Sequence, residues 1–167
     1  GLDPRRLMLS SLIPKNLQRR LQSSFQSIGY TPEEDVRQPL EPPRGSITVL
    51  RGESGVGKTW QICAMAKSMM DAGKLTILLR ASADLEALRA NIAATVWNPT
   101  YSNLAPLSSV AERLRPRFKD ERDVWLTVFL DDLNDPQLAQ SIVEDNWAAL
   151  GIDIVTSSQP ATADWLR

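Results

Sequence analysis

The chain has 167 residues, 43% hydrophobic and 23% charged, with a formal net charge of −1, which suits one ordinary globular domain with a single sizeable core. That charge argues against a general nucleic-acid-binding surface, the lone Cys63 allows no intrachain disulfide, and the lack of histidine removes Ser-His and Cys-His nucleophiles and the usual zinc sites. No apolar run approaches membrane-spanning length and the N-terminus has no signal-peptide core, so a reducing, cytoplasmic setting with no membrane partner is expected.

Residues 1–44 read as an N-terminal helical segment followed by a linker. Residues 7–28 (LMLSSLIPKNLQRRLQSSFQSI) have helix-like apolar spacing interrupted by Pro14, with Leu17, Leu21 and Phe25 forming a stripe that must pack on something. Arg5, Arg6, Lys15, Arg19 and Arg20 make this segment basic, either as a solvated helix face or as an arm for an acidic partner or nucleic acid. The proline-rich stretch 29–45 (GYTPEEDVRQPLEPPRG) reads as a linker or a surface loop.

From Ser46 the rhythm becomes strand, helix, strand, helix, and residues 45–167 read as one core. Residues 47–50 and 75–79 (LTILL) are short β-rich runs. Residues 58–72 and 84–97 have helical spacing, the first stopped by Gly73. Residues 109–114 suggest a helix ended by Pro116. Residues 125–130 (WLTVFL) are continuously apolar, as in a strand covered on both faces. Asp135 and Pro136 supply an N-cap and a first-turn proline for a helix over 136–150 that Gly151 closes, and residues 152–156 (IDIVT) are a fourth strand. Strands separated by helices imply an α/β fold, a mostly parallel sheet between two helix layers.

The stretch GESGVGKT, Gly52 to Thr59, fits the phosphate-binding pattern G-x-x-x-x-G-K-[ST] between a predicted strand and a predicted helix. Gly52, Gly55 and Gly57 permit turn dihedrals and leave room for phosphate oxygens. The backbone N–H groups of Gly52, Glu53, Ser54, Gly55, Val56, Gly57, Lys58 and Thr59, with the helix N-terminus, offer donors to an anion. Lys58 is placed to reach the β- and γ-phosphates of a nucleoside triphosphate such as ATP, and the Thr59 hydroxyl to complete a Mg²⁺ shell. VFLDDLND, residues 128–135, puts Asp131 at the C-terminal end of a buried strand as the second metal anchor. Asp132 is a candidate for polarising an attacking water, or it simply begins a loop. Thr156 and Ser157 end the fourth strand and would face the γ-phosphate if that strand lies between the first and third; ordinary turn chemistry explains them equally well.

GESGVGKT, FLDDLND and IVTSS together resemble the STAND branch of P-loop NTPases, the NACHT and NB-ARC signalling ATPases related to AAA+ proteins. The resemblance covers about residues 46–158, with Asp131-Asp132 matching the family's paired acids and Thr156-Ser157 the first two places of its Thr-Ser-Arg strand end; Ser158 stands where the arginine would be. It implies a slowly hydrolysing Mg·ATP switch that self-associates, within a longer protein whose lid and later domains would follow Arg167. A fast AAA+-type motor acting on protein or nucleic acid through the basic N-terminal segment is the competing enzyme reading. A scaffold with a vestigial site is the non-enzymatic one.

Overall fold

The computed structural model describes residues 4–35, 45–51, 57–81, 84–97 and 105–158. In chain order the elements are α1 (Pro4–Ile28), β1 (Ile47–Arg51), α2 (Lys58–Asp71), β2 (Thr76–Arg80), α3 (Leu85–Val96), α4 (Leu107–Phe118), β3 (Leu126–Asp131), α5 (Pro136–Asp145) and β4 (Ile152–Ser158). The strands form one sheet in the order β1-β4-β3-β2, every neighbouring pair parallel. The chain is therefore α/β, and β4 does lie between the first and third strands. β3 and β4 are buried along their whole length because they hold the two central places, which explains the apolar run of β3 and leaves Asp153, Thr156, Ser157 and Ser158 of β4 buried as well.

Alternation along each strand sends successive side chains to opposite helix layers. Leu126, Val128 and Leu130 of β3 and Ile152 and Ile154 of β4 pack against Leu88 and Ile92 of α3, Leu114 of α4 and Ile142 of α5. Leu78, Phe129 and Val155 face the other way, onto Ile62, Met65 and Ala66 of α2.

The stripe on α1 finds its partner across the sheet edge. Ile13 and Leu17 join the first of these clusters, while Leu21 and Phe25 join the second. α1 thus passes over the outer edge of β2, where the Ser24 hydroxyl donates to the Leu78 carbonyl at 3.4 Å. A covered edge cannot template pairing with another chain.

Three local expectations are revised. The helix runs unbroken through Pro14. An interior proline costs about 3 kcal/mol, whereas Ile13, Leu17, Leu21 and Phe25 are all buried, each worth about 1.5–3 kcal/mol, so burial wins. α4 likewise continues past Pro116 to Phe118, because the proline falls in the last turn and Leu107, Val110, Ala111 and Leu114 hold the helix down. The helix expected over 136–150 stops at Asp145. Asn146 turns left-handed (φ 51°), which swings the buried Trp147 into the core, and a 3-10 turn over Trp147–Leu150 follows. Gly151 closes it at φ 76°, and a Cβ there would lie 2.8 Å from both Arg115 Nε and the Asp123 carbonyl oxygen. Only glycine fits that corner without displacement.

Candidate functional site

Parallel sheets bind ligands beyond the C-terminal ends of their strands, and there the topology gathers most of the residues singled out above. Registry sets a row across the sheet: Arg80 of β2 pairs with Asp131 of β3, Leu130 pairs with Thr156, which puts Asp131 beside Ser157 of β4, and Ser157 pairs with Leu50 of β1. Alternation puts these side chains on the α2 side of the sheet, with Leu78, Phe129 and Val155.

α2 meets this row with its first turn. Gly57 precedes it in a left-handed conformation (φ 79°), a glycine's role, and Lys58 and Thr59 open the helix. The Thr59 hydroxyl lies 3.2 Å from both carboxylate oxygens of Asp131. The Ser157 hydroxyl donates to Asp131 Oδ1 at 3.0 Å and accepts the Asp132 backbone N–H at 2.9 Å. Lys58 is buried, and its ammonium donates to the Ser158 carbonyl at 3.5 Å, at the limit of a hydrogen bond. The helix start, the acidic strand end and the end of β4 are thus tied together by side-chain hydrogen bonds.

The paired acids differ sharply. Asp131 is 2% exposed. Burial pushes its carboxyl above the ordinary carboxylate range, and the neighbouring Asp132 charge adds to this; the Ser157 and Thr59 hydroxyls and the Arg80 charge pull the other way without cancelling it. Asp132 is exposed, in a left-handed conformation (φ 59°) that a non-glycine residue adopts at a cost. The Ser157 bridge to its amide helps to hold that turn.

The other expectations separate here. Gly52, Glu53, Ser54, Gly55 and Val56 lie outside the described residues. Thr156 is not brought to the acids: it points to the opposite face of β4 from Ser157 and donates to the Leu130 carbonyl at 2.8 Å. Asp135 is a helix cap, accepting the Gln137 N–H at 3.0 Å. Cys63 is fully buried, its thiol pushed up to about 12 chiefly by that burial, which makes it an inert core residue.

Two residues at this edge are not anticipated from the sequence. Trp60, beside Thr59, packs edge-on against Tyr30 at 5.0 Å, and Tyr30 packs likewise on Phe25 at 5.0 Å. An aromatic chain therefore joins the end of α1 to the first turn of α2. Arg80 stands in the row beside Asp131, and the signal for it was present: LTILLR ends an apolar strand in a charge, as VFLD does.

No family model matches the chain, and no curated protein is found as a relative.

Thr59 and Asp131 offer a hydroxyl and a carboxylate, hard oxygen donors on one spot. Mg²⁺ takes such donors, keeps several waters and completes its shell with phosphate oxygens rather than a protein cage. No three acidic or cysteine side chains converge into such a cage among the described residues. A buried carboxylate hydrogen-bonded only by hydroxyls also gains from a cation. The residues fit the ion.

Proposed function

We propose that the chain is the nucleotide-binding core of a STAND-like P-loop ATPase, binding Mg·ATP and hydrolysing it slowly as a switch for self-association. The observation that carries this reading is the hydrogen bonding of Thr59, at the end of the GESGVGKT stretch, to the carboxylate of Asp131 on β3, with β4 inserted between β1 and β3. That topology brings Thr59 and Asp131, distant in sequence, to one edge of the sheet, as the reading requires.

In this reading the amides of residues 52–59 hold the phosphates, Lys58 supplies positive charge to the β- and γ-phosphates, and Thr59 and Asp131 hold Mg²⁺. When bound, the ion offsets negative charge on the phosphates. Asp132, exposed beyond the strand end, accepts a proton from the attacking water. Ser157 fixes both acids: its hydroxyl donates to one carboxylate and accepts the amide of the other residue. Thr156 supports the sheet.

Among the described residues no helix is long and apolar enough to cross a membrane, and the cytoplasm, with its ATP, is the compartment this activity requires. The test is calorimetry with Mg·ATP on the chain and on Lys58→Ala. The variant is expected to lose binding. Equal affinity in the two proteins would remove the phosphate-cradle assignment.

A further inference from the structure

We infer that Arg80, at the end of β2, is the residue that distinguishes a nucleoside triphosphate from a diphosphate by reaching the terminal phosphate. This rests on the nucleotide-binding reading above and extends its site to a strand that the sequence motifs do not include.

The position of Arg80 supports this role. Arg80 lies in the same cross-sheet row as Asp131 and Ser157 and on the same face. Neighbouring strands are about 4.8 Å apart, so the space above β4, where Lys58 meets Ser158, is two strand spacings or about 10 Å from the Arg80 backbone. An extended arginine plus one hydrogen bond spans that gap. A cleft of about 560 Å³ between α1, β2 and α3 is lined by both Arg80 and Asp131, so Arg80 borders open space on the side of β2 away from β4 and is not packed in place there.

The charge around Arg80 supports it as well. Arg89, Arg115 and Arg122 each pair with an aspartate. Arg80 is exposed and forms no ion pair among the described residues. Its nearest acid in the row is Asp131, which is turned to the Thr59 and Ser157 hydroxyls. A triphosphate carries more negative charge than one lysine and one divalent ion neutralise, and the end of β4 offers only Ser157 and Ser158, which bear no charge. An arginine fork suits the oxygens of a terminal phosphate better than a lysine does. The diphosphate, lacking that group, leaves Arg80 in solvent.

The test compares the full chain with Arg80→Ala, Arg80→Lys and Lys58→Ala, using calorimetry with Mg·ADP and with the non-hydrolysable triphosphate analogue AMP-PNP. Arg80→Ala is expected to weaken AMP-PNP by about tenfold, the loss of one charge-assisted contact, and to leave ADP within about twofold and the melting temperature unchanged. Arg80→Lys should recover part of the loss. Equal weakening of both nucleotides, or no change in either while Lys58→Ala abolishes binding, overturns the role of Arg80 and leaves the cradle standing. Full binding by Lys58→Ala, or no binding by the parent chain, overturns the cradle and this inference together.

Discussion

Asp131 and Asp153 are buried aspartates on adjacent central strands, near opposite ends of the same sheet. Burial pushes both carboxyls above the ordinary range. Their partners differ. Asp153, near the start of β4, is bonded by the Arg122 guanidinium from the loop before β3. Asp131, at the end of β3, is bonded by the Thr59 and Ser157 hydroxyls, with Arg80 beside it but not paired. A full countercharge within the fold is what a structural acid needs, and Asp153 has one. Asp131 has hydroxyl hydrogens in its place and no ion-pair partner among the described residues.

The guanidinium responds differently from its partner: Arg122 is shifted up chiefly by its hydrogen bond to Asp153, while Asp153 is shifted up by burial that the same bond only partly offsets. Both directions agree once exposure is considered, since the Arg122 side chain is 38% exposed and that of Asp153 only 4%. The arginine keeps more of its hydration than the carboxylate does.

This contrast can be broken most forcefully at Arg122. Arg122→Ala strands Asp153 in the sheet and should cost about 2–3 kcal/mol, below the 3–5 typical of a fully buried pair. The melting temperature should fall by about 5–10 °C, with nucleotide affinity unchanged. A loss of nucleotide binding in a folded Arg122→Ala protein would mean that the two ends are not independent.

At the other end the sign reverses. Asp131→Asn removes a carboxylate that burial penalises and should raise the ligand-free melting temperature at neutral pH by about 2–4 °C, the shift for about 1 kcal/mol in a domain of this size. The pH dependence follows from the direction of the shift. The folded state holds the Asp131 proton more tightly than the unfolded state does, so its stabilising contribution is complete below the unfolded value near 3.8 and is lost as pH rises through the higher folded value. The advantage of Asp131→Asn over the parent should therefore shrink as pH falls towards that limit. A gap that widens on acidification would contradict the assignment.

Smaller effects on stability are expected at the residues that hold the acids. Ser157→Ala should lower ATP turnover by about tenfold to a hundredfold through misplacement of Asp131 and Asp132, with nucleotide still bound. Asp132→Asn, at an exposed position, should leave stability within about 0.5 kcal/mol and nucleotide bound while stopping hydrolysis. Turnover that continues at the parent rate would reduce Asp132 to a loop residue.

Much of this architecture is legible in the sequence. Apolar runs and caps locate the strands and most helices, because fully buried central strands such as LTVFL have no polar alternation to blur them. What sequence reasoning misses depends on contacts between distant segments. Pro14 and Pro116 signal helix breaks, but the buried stripes beneath them are stronger. Asn146 carries no local sign that Trp147 needs to turn into the core. At the candidate site, motif spacing singles out Lys58, Thr59 and Asp131, and the fold brings the last two into contact. Thr156 and Ser157 are equivalent in a one-dimensional reading, and only the pleat of β4 separates the sheet-bonding residue from the one that touches both acids. Arg80 is brought beside Asp131 by the strand order, and no motif announces that.

In the proposed function Asp131, unlike Asp153, is an anchor for a cation that arrives with nucleotide. Thermal unfolding with and without saturating Mg·ATP, on the parent and on Asp131→Asn, tests it most directly. Ligand at about a hundred times its dissociation constant adds about 2.7 kcal/mol to the folded state. The parent should therefore melt about 5–10 °C higher with Mg·ATP, and Asp131→Asn, more stable without ligand, should gain little. An equal rise in both proteins, or none in the parent, would contradict the account.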